Sequence, residues 1–223
     1  MITVHLTPAL LATMVRRMAT NAGLRRAYTL WAAVYDPLTR FLRWSRRHAV
    51  ALLDIAASDR VLLVGCGTGA DFEFLRPDAE YVAVDITPAM LRKAEQKVGC
   101  LRVQIAQMDA MALDLPSESF DKAILHLIVA VVPDPVRALR EVERVLKPGG
   151  RATVLDKFWN RPRRPPWPLR VANAMFGGYV TAIDRNFDAI VAQTSLTVVR
   201  KLPLSFGGLY FLYLLQKPSR STS

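Results

Sequence analysis

Five residues, Gly65-Cys66-Gly67-Thr68-Gly69, follow a short apolar run, Arg60–Val64. A glycine loop leaving a strand lets backbone N–H groups approach a ligand closely, because no side chain stands in the way. The spacing is G-C-G-T-G rather than G-x-G-x-x-G, so the usual dinucleotide fingerprint is not met, and a plain strand-to-helix turn is the competing reading. Two acids lie downstream at the ends of further apolar runs. Asp85, 20 residues after Gly65, is placed to accept both hydroxyls of a ribose, or alternatively to cap the helix that begins at Pro88. Asp109, within Gln107-Met108-Asp109-Ala110, could accept an adenine amino group or be a solvated loop acid.

The elements positioning these residues alternate. Arg60–Val64, Tyr81–Val84, Leu101–Ile105, Lys122–Leu127 and Ala152–Leu155 read as strands. Asp71–Leu75 reads as opening a helix, and Pro88–Val98 and Asp134–Leu146 as helices, the last with Val136, Leu139, Val142 and Leu146 inward. Lys147-Pro148-Gly149-Gly150 ends it. Strands alternating with helices predict a parallel sheet. Thr197–Lys201 and Leu209–Leu215, flanking Ser205–Gly208, read as a hairpin closing its edge. Upstream, 10–18, 24–35 and 39–56 read as amphipathic helices. Residues 1–57 are thus expected to form a basic helical, membrane-facing cap, and 58–223 the ligand-binding domain.

With 223 residues, 52% hydrophobic and 22% charged, one globular α/β unit is expected. Cys66 and Cys100 make neither a disulfide framework nor a zinc motif, and no metal site is expected. No signal peptide or membrane span is legible, which predicts a cytoplasmic protein. The net charge of +11 is unevenly divided: +7 in 1–47, −4 in 48–150 and +8 in 151–223. Such basic flanks call for an anionic partner. Trp31, Trp44, Trp159 and Trp167 lie in or beside them, as does the Arg/Pro stretch 160–170, a pattern suited to the surface of anionic lipid. A solvated basic surface with buried tryptophans is the bland alternative. A nucleic-acid enzyme would also be basic, but the charge is interleaved with apolar stripes, so nucleic acid is not the expected partner.

In order and spacing, the glycine loop, Asp85 and Asp109 resemble class I S-adenosylmethionine (SAM)-dependent methyltransferases over about 59–156. The resemblance includes Ser119-Phe120-Asp121, Val132-Pro133-Asp134-Pro135 and Arg144-Val145-Leu146-Lys147-Pro148-Gly149-Gly150. It implies a Rossmann-like, mostly parallel seven-stranded sheet with SAM as cofactor and S-adenosylhomocysteine as product. The cofactor set it implies is Tyr28, Gly65, Cys66, Gly67, Thr68, Gly69, Asp85, Ile86, Met90, Met108, Asp109, Ala110 and His126. Leu63 stands where such enzymes usually carry an acid, which keeps a non-catalytic SAM-binding protein among the alternatives. Tyr28-x-x-Trp31-x-x-x-Tyr35-Asp36 and Arg185-Asn186-Phe187 resemble bacterial phosphatidylethanolamine N-methyltransferases and, more loosely, quinone-ring C-methyltransferases. That implies methyl transfer to phosphatidylethanolamine at the inner membrane surface, or else to a quinone precursor or other hydrophobic acceptor. Tyr35 and His126 are then the catalytic candidates, and Trp31, Tyr35, Tyr179 and Arg185 the substrate-binding ones, Arg185 for a phosphate. Aromatic packing of helix on sheet is the alternative for the tyrosines, and a satisfied core histidine for His126.

Overall fold

A computed structural model describes residues 42–159, 185–204 and 210–220. The other residues, among them Tyr28, Trp31, Tyr35 and Tyr179, the stretch 160–170 and the hairpin loop 205–209, lie outside the described set, as do the expected helices upstream of 42.

Helix α1 is Arg43–Leu52, and it is followed by strands β1 (Arg60–Val64) and β2 (Glu80–Asp85). Helix α2 (Pro88–Glu95), β3 (Arg102–Gln107), β4 (Phe120–His126) and α3 (Pro135–Val145) come next. The chain then forms β5 (Leu146–Lys157), α4 (Phe187–Val191), β6 (Thr197–Pro203) and β7 (Tyr210–Gln216). The seven strands make one sheet in the order β3-β2-β1-β4-β5-β7-β6. Strands β1 to β5 pair in parallel, and the β6–β7 hairpin adds antiparallel to β5. The expected mostly parallel, Rossmann-like sheet is what the chain builds.

Both faces of the sheet are covered, which explains the unbroken apolar runs in its central strands. Along β1, Leu62 and Val64 join the core on the α3 side, while Val61 and Leu63 pack toward α1 with Tyr81, Ala83 and Ile124. Helix α3 is closed at its start by the Asp134 side chain, which accepts the Arg137 N–H at 3.0 Å. It buries Ala138, Leu139, Val142 and Val145.

Three expectations need correcting. Asp71–Leu75 does not open an α-helix: Phe72–Phe74 is a single 3-10 turn, and the Asp71 carboxylate makes no capping bond. Pro77 also forces an extended approach to β2, leaving no room for a longer helix. Strand β5 starts at Leu146 rather than Ala152, with a shift in register against β4 that absorbs Lys147–Gly150. Finally, α3 keeps Val136 only partly buried, and Leu146, although buried, belongs to β5.

Candidate functional site

The sheet changes direction between β1 and β4, since β2 and β3 lie to one side and β5 to the other. Loops leaving the strand ends diverge there and open a crevice, the usual ligand position in such sheets. Its walls are Gly65 and Gly67, Val84–Thr87, Met90, Met108–Ala110, Leu127, Ile128, Val131 and Val132.

The floor is backbone. Gly65, Gly67 and Gly69 have φ of +65°, +56° and +71°, a region side chains strongly disfavour. A Cβ on Gly65 would lie 2.6 Å from the Ile128 side chain, so glycine is required by space as well as by conformation. The loop is fastened to β2: Cys66 N–H donates to the Val84 carbonyl at 2.9 Å, and Gly67 N–H donates to Asp85 Oδ2 at 2.9 Å. Asp85 Oδ1 accepts the Thr87 N–H at 2.8 Å. Each oxygen has a second lone pair, so a carboxylate already held by two amides can still accept hydroxyl groups. Burial pushes the Asp85 carboxyl up from its ordinary range, and the amides of Thr87 and Gly67 oppose that. At the next strand end, Asp109 Oδ1 accepts the Met111 N–H at 2.9 Å, which shapes the turn after β3.

The far wall follows β4. Leu127 has φ +63°, and its N–H donates to the Leu155 carbonyl at 2.7 Å. This left-handed residue turns the chain so that Ile128 folds over Gly65. The 128–132 turn is pinned from behind. Asp156 Oδ2 accepts the Ala130 N–H at 2.8 Å, and Arg185 Nη1 donates to the Val129 carbonyl at 2.5 Å.

Of the expected cofactor residues that the structure describes, Gly65, Gly67, Asp85, Ile86, Met90, Met108, Asp109 and Ala110 are brought together here. Cys66, Thr68, Gly69 and His126 are not among the wall residues. Cys66 and Thr68 are buried behind the loop, and Gly69 backs onto Phe72 and Ala94. His126 turns to the α1 side of the sheet. Its Nδ1 is 2.8 Å from Asp71 Oδ1 and its Nε2 is 3.3 Å from Thr153 Oγ1, so both ring nitrogens are occupied, as in a satisfied core histidine. Asp71 also accepts from Arg46 Nη1 at 2.6 Å, and Arg46, Asp71, His126 and Thr153 are all buried. Burial alone would raise the Asp71 carboxyl, but the Arg46 guanidinium and the His126 ring outweigh it and hold it well below the ordinary carboxylate range. Arg185 is half-buried against the 128–132 turn, bonded to Val129, rather than standing clear in solvent.

The wall residues that the sequence reading did not assign to the site are Val84, Thr87, Leu127, Ile128, Val131 and Val132. The apolar run ahead of Val132-Pro133-Asp134-Pro135 is the signal that could have found the last four.

Residues 62–154 match a family described as a methyltransferase domain. The chain is 30% identical over 196 residues to a phosphatidylethanolamine N-methyltransferase of Cereibacter sphaeroides, covering 84% of this chain and 94% of that one. It is 38% identical over 133 residues to a demethylmenaquinone methyltransferase of Thermus thermophilus, covering 55% of this chain and 60% of that enzyme. Among solved structures, the fold matches a geranyl diphosphate C-methyltransferase of Streptomyces coelicolor, in complex with S-adenosyl-L-homocysteine, at TM-score 0.68, 16% identity and 82% coverage of each chain. It also matches the [4+2]-cyclase SpnF at TM-score 0.66 and 18% identity, covering 79% of this chain and 81% of that one.

Proposed function

This chain belongs to the SAM-dependent methyltransferases, and we propose that it transfers the methyl group to a lipid amine, that of phosphatidylethanolamine, at an anionic membrane surface. SAM is its cofactor. The residues fit that molecule: a glycine cradle with no room for a side chain at Gly65, two carboxylates able to accept from hydroxyl and amino groups, and an apolar middle.

In this reading Asp85 accepts the ribose hydroxyls and Asp109 the adenine amino group, while Ile86, Met90, Met108 and Ala110 enclose the base. The methionine end lies against the glycine loop, where Gly65 carries no side chain to obstruct it. SAM supplies a methyl group already activated on a sulfonium, so the protein need not build an electrophile. Its residues align the acceptor and exclude water, the part played by Leu127, Ile128, Val131 and Val132. The resemblance would add Tyr28 and Tyr35 as a cover over the methyl group, and Trp31 and Tyr179 as acceptor residues. The amine nitrogen gives up its proton and becomes cationic as it is methylated, and tyrosine ring faces and oxygens suit that charge.

The observation carrying the lipid reading is the likeness along nearly the whole length of a phosphatidylethanolamine N-methyltransferase, against 60% of the quinone enzyme. Two further features support it. Trp44 is 68% exposed on α1 beside basic Arg43 and Arg47, as residues meeting lipid headgroups are, and the stretch 1–47 carries a net charge of +7. No helix among the described residues is long and apolar enough to cross a membrane, so the contact would be peripheral. The higher identity to the demethylmenaquinone enzyme favours a second reading, methylation of a quinone precursor. Incubation with methyl-labelled SAM and vesicles of phosphatidylethanolamine and phosphatidylglycerol should yield labelled N-methyl lipid. Label appearing only in added demethylmenaquinol would overturn the lipid reading in favour of the second.

A further inference from the structure

Lys157 is the last residue of β5 and sits opposite Tyr210 of β7, so the two side chains share the face toward α1. Its Nζ stands 5.9 Å from the Tyr210 ring centroid. The residue is half-buried, yet its ammonium has no carboxylate or carbonyl within hydrogen-bonding distance among the described residues. Other lysines near strand ends are paired: Lys147 with Asp121 at 2.7 Å, and Lys217 with the Leu146 carbonyl at 2.7 Å.

The adjacent acid does not fill the gap. As the neighbour of Lys157 in β5, Asp156 points to the opposite face of the sheet, where its carboxylate accepts the Ala130 and Lys157 amides, both at 2.8 Å. The Tyr210 phenol is pushed up to about 12, by burial first and then by Asp156, so it stays neutral and supplies a ring face rather than a counter-charge. A half-buried cation without an anionic partner is costly unless a ligand completes it.

The position suggests which ligand. Leu155 accepts the Leu127 amide at the crevice wall, and Lys157 lies two residues further along the strand, about 7 Å beyond it. The 128–132 turn, whose Ile128, Val131 and Val132 face the crevice, is tied to β5 through Asp156 directly beside the lysine. The cation thus stands at the carboxyl edge of the sheet on the β5 side, beyond the Leu127 wall of the crevice, where a second substrate would lie against the first.

We propose that Lys157 is the anion-recognition residue of the methyl-acceptor pocket, taking an anionic oxygen of the acceptor, a lipid phosphodiester or a quinol phenolate. The assignment rests on the crevice being the SAM site, and not on which of the two acceptors is used. Burial lowers the ammonium pKa and Asp156 partly restores it, consistent with a charge that an incoming anion would stabilise.

The test compares wild type, Lys157→Met and Lys157→Arg on three acceptors: phosphatidylethanolamine in mixed micelles, demethylmenaquinol, and hexadecylamine, which carries no anionic oxygen. S-adenosylhomocysteine affinity is measured alongside by calorimetry. Loss of a charge-assisted bond should raise KM for the anionic acceptor about tenfold or more in Lys157→Met. Its kcat and S-adenosylhomocysteine affinity should stay within about twofold, its hexadecylamine kinetics should be unchanged, and Lys157→Arg should recover most of the loss. Wild-type activity on demethylmenaquinol alone would sink the lipid reading while leaving the lysine to be tested on that substrate. The assignment itself is overturned by an unchanged KM for the acceptor that wild type uses, by an equal penalty on hexadecylamine, or by parallel loss of S-adenosylhomocysteine binding. Failure of wild type to turn over either anionic acceptor also overturns it.

Discussion

Replacing Gly65 by alanine tests the construction of the crevice at its tightest point. Gly65 has φ +65°, which costs a side-chain-bearing residue about 1–2 kcal/mol. The new methyl group would also lie 2.6–2.8 Å from three carbons of Ile128, and overpacking of that kind costs about 1–3 kcal/mol more. Gly99 separates the two contributions: its φ is +57° but nothing stands within 4 Å of its Cβ position, so Gly99→Ala should show the backbone cost alone. Ile128 can yield only by moving off the loop, and it is itself a crevice wall. Gly65→Ala should therefore weaken S-adenosylhomocysteine binding by about 10–100-fold, while Gly99→Ala leaves it unchanged. Ile128→Ala removes the clash, so urea denaturation of both single variants and the double variant should give a favourable coupling of about 1–3 kcal/mol. Strict additivity, or equal loss from Gly65→Ala and Gly99→Ala, would refute the account of why this position is glycine.

Asp85→Ala strips the acceptor from the Gly67 and Thr87 amides, and calorimetry should show S-adenosylhomocysteine affinity falling about 10–100-fold. Asp71→Asn leaves Arg46 buried without its counter-charge, which should cost about 3–5 kcal/mol in chemical denaturation. Because Asp71 titrates below its unfolded value of about 3.9, its contribution is complete above that pH and is lost only as pH falls through the lower folded value. The stability contributed by the Asp71 charge should thus shrink in acid, as pH falls below about 3.9, which acid titration of wild type against Asp71→Asn would show. Burial, with Asp85 and Asp71 nearby, pushes the Cys66 thiol well up, whereas Cys100 is exposed. Iodoacetamide followed by peptide mass spectrometry should find only Cys100 alkylated until the protein is unfolded.

Much of the crevice was legible because its signals are local. A glycine loop, an acid at the tip of the next strand and another after the third are each set by a few neighbouring residues, and parallel strands covered on both faces write themselves as apolar runs. What could not be read depends on pairing across distance. Asp71 looks like the start of a helix, but it answers to Arg46, 25 residues before it, and His126, 55 residues after it. No local pattern announces that triangle, and with it went the orientation of His126. Leu127 gives no hint that it must turn left-handed, because leucine is not the residue such turns favour. Lys157 reads as one more base in a basic segment until Tyr210, 53 positions on, is placed beside it.

The position of β7 has a consequence for synthesis. It follows β6 in the chain but lies inside it, wedged between β5 and β6. While a ribosome is still adding residues 210–216, the hydrogen-bonding edge of β5 is bare, and β6 has nothing of the sheet to hold. The five parallel strands can assemble early, but the sheet is sealed only when the penultimate gap is filled from behind. The interval before that is when a newly made molecule is most exposed to a stray strand from another copy.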